Sequence, residues 1–154
     1  MFVVHIKNIR RLAVIGGGAI LTVALLFVLV GCFGKGSAPE QQPISAATND
    51  ERLAYLTELG WQVDPEPIET LNLQLPEDLA EEYGDYMALQ DQQGLPFGQY
   101  GGKTVSRYTY TVTNYPDCSG PVQANLYVCD DRLIGGDVVS IGENGFVQGL
   151  AFPE

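Results

Sequence analysis

Between residues 103 and 116 the chain reads KTVSRYTYTVTNYP. This run of β-branched and aromatic residues suits a pleated, half-buried surface. Alternation splits it into two rows. One row holds Val105, Arg107, Thr109, Thr111, Thr113 and Tyr115, and the other Ser106, Tyr108, Tyr110, Val112 and Asn114. The second row is the more aromatic, so Tyr108, Tyr110 and Val112 are expected in the core, with the Arg107 row facing water or a partner. Pro116 lacks a ladder donor and ends the strand. At ~3.4 Å per residue such a strand reaches roughly 40 Å, so a bend or bulge is expected within it.

Upstream the period becomes helical. Thr48 with Glu51 after it makes a capping-box signature, and Leu53, Leu56 and Leu59 form an apolar stripe that Gly60 terminates. Trp61, Gln62 and Val63 read as a short strand before Pro65 and Pro67 break the chain. Residues 68–75 alternate with one slip and predict a further strand. Pro76, Glu77 and Asp78 suit the first turn of a second helix. That helix is expected to reach Gln93 and stop at Gly94, with Leu79, Tyr83, Tyr86 and Met87 on one face. Gln90 shares this face and is expected to reach solvent or a backbone carbonyl, while Glu81, Glu82 and Asp85 read as a solvated surface.

Residues 95–102 form a loop with Phe97 and Tyr100 as aromatic plugs. Residues 122–129 alternate as a strand, Asp130-Asp131 makes a tight turn, and residues 133–141 form a strand interrupted by Gly135-Gly136. Paired glycines in a strand mark a bulge or a close backbone approach. Glu143-Asn144-Gly145 is a hairpin signal, and residues 146–152 are the last strand predicted. The expected fold class is α+β: an antiparallel sheet meander with two helices packed on one face, preceded by an N-terminal transmembrane or signal helix.

Charge divides the chain. Residues 12–33 carry no charged side chain and are long enough to cross a bilayer, which takes roughly 20 residues. Lys7, Arg10 and Arg11 precede this stretch and should stay cytoplasmic, placing the rest outside. The preferred reading is a single-pass anchor in a bacterial cell membrane. Leu29-Val30-Gly31-Cys32 also resembles a lipobox, which makes Cys32 a lipidation candidate and a lipid anchor the alternative. The domains expected are thus a basic flank with its membrane anchor at 1–33, a flexible tether at 34–47 and an extracytoplasmic domain at 48–154. All 19 acidic residues but only five of the eight basic ones follow Cys32, leaving that part at −14. Such a charge disfavours nucleic acid.

The chemistry on offer is sparse. His5, the one histidine, lies in the cytoplasmic flank, so the exported part has no His-based nucleophile pair or zinc site. Cys118 and Cys129 bracket one strand, roughly 24 Å apart along it against the about 7 Å that a disulfide allows. The stretch GQYGGKT at residues 98–104 is a near miss to a phosphate loop, with Phe97 where the first glycine belongs and a strand where a helix should follow. Asp130, Asp131, Asp137 and Glu143 supply turn carboxylates of the kind a small hydrolase pairs. No cofactor and no metal site is expected.

The run LQDQQGLPFGQYGGKTVSRYTYTVTNYP, followed by VQANLYVCDDRLIGGDVVS, resembles a family of small bacterial proteins, mostly from clostridial Firmicutes, catalogued as domain of unknown function 4830. The resemblance extends over residues 53–150 and is most specific at residues 86–94, 101–116 and 134–140. It implies a membrane-anchored protein with one extracytoplasmic domain, and no catalytic residues. The reading is therefore a non-catalytic binding or interaction module at the cell envelope, with the membrane and an envelope protein as partners. Arg107, Thr109, Thr111, Tyr127 and Asp137 are the candidate binding residues. A carboxylate-dependent envelope hydrolase and a purely structural envelope protein stay open as alternatives.

Overall fold

The structure, a computed structural model, describes residues 42–116, 118, 120–142 and 145–153. The expected anchor, the Cys32 lipidation candidate and most of the tether lie outside the described residues. Among the described residues no helix is long and apolar enough to cross a membrane.

The first helix, α1 (Asn49–Glu58), starts at the predicted capping box: the Thr48 hydroxyl accepts from the Glu51 N–H, and the Glu51 carboxylate accepts from the Thr48 N–H. Gly60 ends it with φ +95°, a conformation glycine adopts at no steric cost. Strand β1 (Glu69–Gln74) follows, then α2 (Leu79–Gln92). Asp78 caps α2 by accepting from the Ala80 N–H at 3.0 Å, so the helix begins after Pro76 rather than at it. Tyr83 leaves helical geometry (φ −125°, ψ 22°) just before Gly84, kinking the helix. A 3₁₀ turn, Phe97–Tyr100, leads into β2 (Thr104–Val112), β3 (Val122–Cys129), β4 (Arg132–Ser140) and β5 (Val147–Gln148).

The five strands lie in sequence order in one antiparallel sheet. The β3–β4 hairpin closes through Asp130 (φ 48°) and Asp131 (φ 63°), both left-handed as a two-residue type I′ turn requires. Strand β2 stops at Val112, shorter than expected. Beyond it Thr113 donates to the Gln62 carbonyl and Asn114 bridges Gln62 and Gly60. Strand β5 is also shorter than the predicted residues 146–152, because Leu150 turns into the core and its carbonyl accepts from the Trp61 indole. The Glu143-Asn144 part of the last turn lies outside the described residues. Residues 44–46, expected in the tether, are folded: Ser45 bridges to Arg132, and Ala46 is buried and donates to the Asp131 carbonyl.

The expectation of both helices on one sheet face is corrected. On the first face, Tyr110, Val112, Val122, Ala124, Leu126, Val128 and Val138 meet Leu56 of α1 with Trp61 and Leu150. On the second, Val105 and Ile134 meet Leu79, Tyr83, Tyr86 and Met87 of α2 with Phe97. The arrangement is three layers within the α+β class. The reason is room: Leu56, Trp61 and Leu150 fill the first face, and the aromatic stripe of α2 must be buried elsewhere. The same fact corrects the Arg107 row. Val105 and Thr109 are buried, at 2% and 3% exposure, and only part of that row stays accessible. Tyr108, expected in the core, is only partly buried.

Candidate functional site

Register brings together residues that are remote in sequence. Thr109 of β2 lies opposite Asn125 of β3, which lies opposite Asp137 of β4. Directly opposed residues share a face, so the three side chains form a polar line across the second face. The Thr109 hydroxyl donates to Asn125 Oδ1 at 2.7 Å, and Asn125 Nδ2 donates to Asp137 Oδ1 at 2.8 Å. Tyr86 reaches down from α2 and donates its hydroxyl to Asp137 Oδ2 at 2.7 Å. Its ring meets Phe97 and Tyr127 edge-on, at centroid distances of 5.0 and 5.8 Å. Such T-shaped contacts set the positive ring edge against a neighbouring π face.

Burial pushes the Asp137 carboxyl above the ordinary carboxylate range. The hydrogen bonds from Asn125 and Tyr86 and the charge of Arg107 pull it down without cancelling that effect. Burial, then the Asp137 charge, also push the Tyr86 phenol upward. The cause is common: a low-dielectric setting disfavours whichever form is charged.

One strand position along, Arg107 stands opposite Tyr127 on β3 and Leu71 on β1. It pairs with the Glu69 carboxylate. Its Nε is buried with no hydrogen-bond partner. Thr111 continues the row but joins neither group; its carbonyl accepts from the Asp64 N–H. Of the five candidate residues, four are thus drawn into one neighbourhood. Thr109 and Asp137 are internal ties, and Arg107 and Tyr127 form its partly accessible margin.

The hydrolase alternative needs paired carboxylates. Asp130 and Asp131 sit at the β3–β4 turn, about 20 Å along β4 from Asp137 at ~3.3 Å per residue. Glu143 lies outside the described residues. Cys118 and Cys129 are both free. Among the described residues no cluster of three or more His, Cys, Asp or Glu is arranged to hold a metal ion.

In the sequence Tyr86 stands out only as part of the helix stripe, and Asn125 carries no mark of a role. The signal for Asn125 was its place in the outward row of β3, between Gln123 and Tyr127. Gln90 reaches a backbone carbonyl, as expected, and does more. Fully buried, it donates to the Gly136 carbonyl at 3.0 Å and accepts from the Gly136 N–H at 2.9 Å. Its amide therefore completes the ladder where β5 does not reach. The glycine pair is a close approach combined with a bulge at Tyr127/Val128. A Cβ on Gly135 would stand 2.9 Å from Phe97, and one on Gly136 would stand 2.5 Å from Leu150.

These features define a small three-layer α+β domain whose antiparallel sheet carries a buried polar line beneath its second helix. The chain belongs to the family described as Domain of unknown function (DUF4830), which it matches over residues 55–138. The matched segment contains Tyr86, Gln90, Arg107, Thr109, Asn125, Tyr127 and Asp137. No curated protein and no solved structure matches the chain.

Proposed function

We propose that the domain is a non-catalytic protein-binding module, held outside a bacterial membrane by its N-terminal segment, with the β1 side of the sheet as its contact surface. The reading is carried by the uneven cover of the sheet. Strands β2 to β4 are mostly buried, whereas every β1 residue but Leu73 is exposed. There Leu71 is 42% exposed beside the Arg107–Glu69 pair, and Ile68, just before the strand, is 55% exposed. An exposed apolar side chain next to a partly desolvated arginine is the composition of an interface centre. The carboxylate suited to chemistry, Asp137, is instead tied to Tyr86 and Asn125.

The test places a photo-crosslinking amino acid at Leu71 of the full-length chain in living bacteria, with Glu82 on α2 as control. The expected result is a discrete crosslinked species from Leu71 and none from Glu82. Absence of any species, or the same species from both positions, rejects the reading.

A further inference from the structure

The outer edge of β1 is an open backbone template. The Leu75 N–H donates to the Lys103 carbonyl at 2.9 Å, and this fixes the phase of the β1–β2 ladder. Bonded pairs alternate with non-bonded ones, so Leu73 and Leu71 bond to Val105 and Arg107. The N–H and C=O groups of Thr70, Asn72 and Gln74 then point away from β2. No described strand pairs with them.

Sheet edges are ordinarily blunted by shortness, lysine, proline or a bulge. The opposite edge, β5, is blunted by shortness, since it is only Val147–Gln148. Strand β1 has none of these devices: its sequence is ETLNLQ and its register with β2 is unbroken.

Charge selects what this edge accepts. Asp64, Glu66 and Glu69 stand at one end of β1 and Glu77 and Asp78 at the other, and no Lys or Arg occurs between Arg52 and Lys103. A second copy is disfavoured in either orientation. Antiparallel pairing about Asn72 sets Glu66 against Asp78, and parallel pairing sets Glu69 against Glu69. Like charges opposed across strands are destabilising. A basic segment meets attraction at both ends.

Resting on the binding-module reading, we infer that the β1 edge takes up an extended, lysine- or arginine-bearing segment of a partner protein as a sixth strand. The Thr70, Asn72 and Gln74 backbone groups supply the hydrogen bonds. Leu71 receives an apolar side chain of that segment on the Arg107 face.

The experiment uses the full-length chain in detergent micelles and a short fluorescent peptide of alternating lysine and valine. Two control peptides accompany it: one with every backbone amide N-methylated, and one with glutamate in place of lysine. The parent peptide should bind at least about tenfold more tightly than either control, a gap of about 1.4 kcal/mol. Asn72→Pro removes an outward N–H and should abolish the difference. Leu71→Lys, at an exposed position, should do the same without depending on how Asn72→Pro folds. Equal binding of the methylated peptide overturns strand addition, and equal binding of the glutamate peptide overturns the charge selection. A concentration-dependent dimer crosslinked through position 71 overturns the basic partner in favour of a second copy. No peptide binding while Leu71 still crosslinks a partner in cells rejects this inference alone, and loss of both rejects the module reading as well.

Discussion

The two faces of the sheet bury opposite charges and accommodate them differently. On the first face Arg52 of α1 is 6% exposed. Its Nε donates to the Tyr110 hydroxyl at 2.9 Å, and one terminal nitrogen donates to the carbonyls of Ala46 at 2.8 Å and Ala47 at 3.1 Å. Its guanidinium carbon lies 3.6 Å from the centroid of the Tyr108 ring. No acid pairs with it among the described residues; carbonyl dipoles and a ring quadrupole replace its water. On the second face Asp137 has only two neutral donors on its carboxylate and is pushed toward its protonated form. The difference follows from the groups themselves. A guanidinium cannot discharge in a protein, so its site must be fully furnished. A carboxylate can take up a proton, so a thinner site suffices.

The comparison breaks most severely at the cation. Arg52→Met leaves the Tyr110 hydroxyl and the two carbonyls without their donor, and about 3 kcal/mol of stability should be lost. Urea unfolding followed by the fluorescence of Trp61, the one tryptophan, measures this. A loss below about 1 kcal/mol would mean that water replaces the guanidinium.

Gln90→Leu should cost about 2 kcal/mol, because the buried Gly136 N–H loses its acceptor and the Gly136 carbonyl keeps only the Gln93 amide. Gln90→Glu should recover less than half of this, since it restores the acceptor but places a carboxyl at a fully buried position. Hydrogen exchange at the Gly136 amide should accelerate in the leucine variant.

Asp137→Asn is a smaller and pH-dependent change. The folded carboxyl holds its proton to higher pH than the unfolded chain does. Its contribution to stability is therefore complete below the ordinary carboxylate value, about 3.9, and is lost as pH rises through the folded value. Relative to Asp137→Asn, the native chain should be most stable at the acid end and lose ground toward neutrality. A difference in unfolding midpoint that stays flat between about pH 4 and pH 7 would contradict this.

Glu69→Gln should have the smallest effect, a few tenths of a kcal/mol and less in high salt, because the pair with Arg107 is half open to water. A larger loss would extend the buried polar line to the β1 edge.

Much of the local structure was legible. The capping box at Thr48, the stop at Gly60, the turn at Asp130-Asp131 and the close approach at Gly135-Gly136 each depend on residues adjacent in sequence. Arg107, Thr109, Tyr127 and Asp137 were legible as one group only in part. Alternation puts Arg107 on one face with Thr109, but their meeting with Tyr127 and Asp137 depends on strand register, and α2 covers Asp137 through Tyr86. Asn125 and Tyr86 escaped as site residues because each looks ordinary within its own element: a polar residue in an outward row and an aromatic in a helix stripe.

The sequence by itself determined the elements, most of their ends and the order of a meander, since periodicity, caps and turn residues act over a few positions. It also determined the long acidic stretch between Arg52 and Lys103. Only the tertiary structure decided that the helices take opposite faces, that Arg52 and Asp137 are buried and that β1 remains bare. Those outcomes depend on competition for a limited buried area. Leu56, Trp61 and Leu150 close the first face, α2 must cover the second, and the cluster beneath it takes in β1 only at Leu73. No local pattern encodes which helix covers which face.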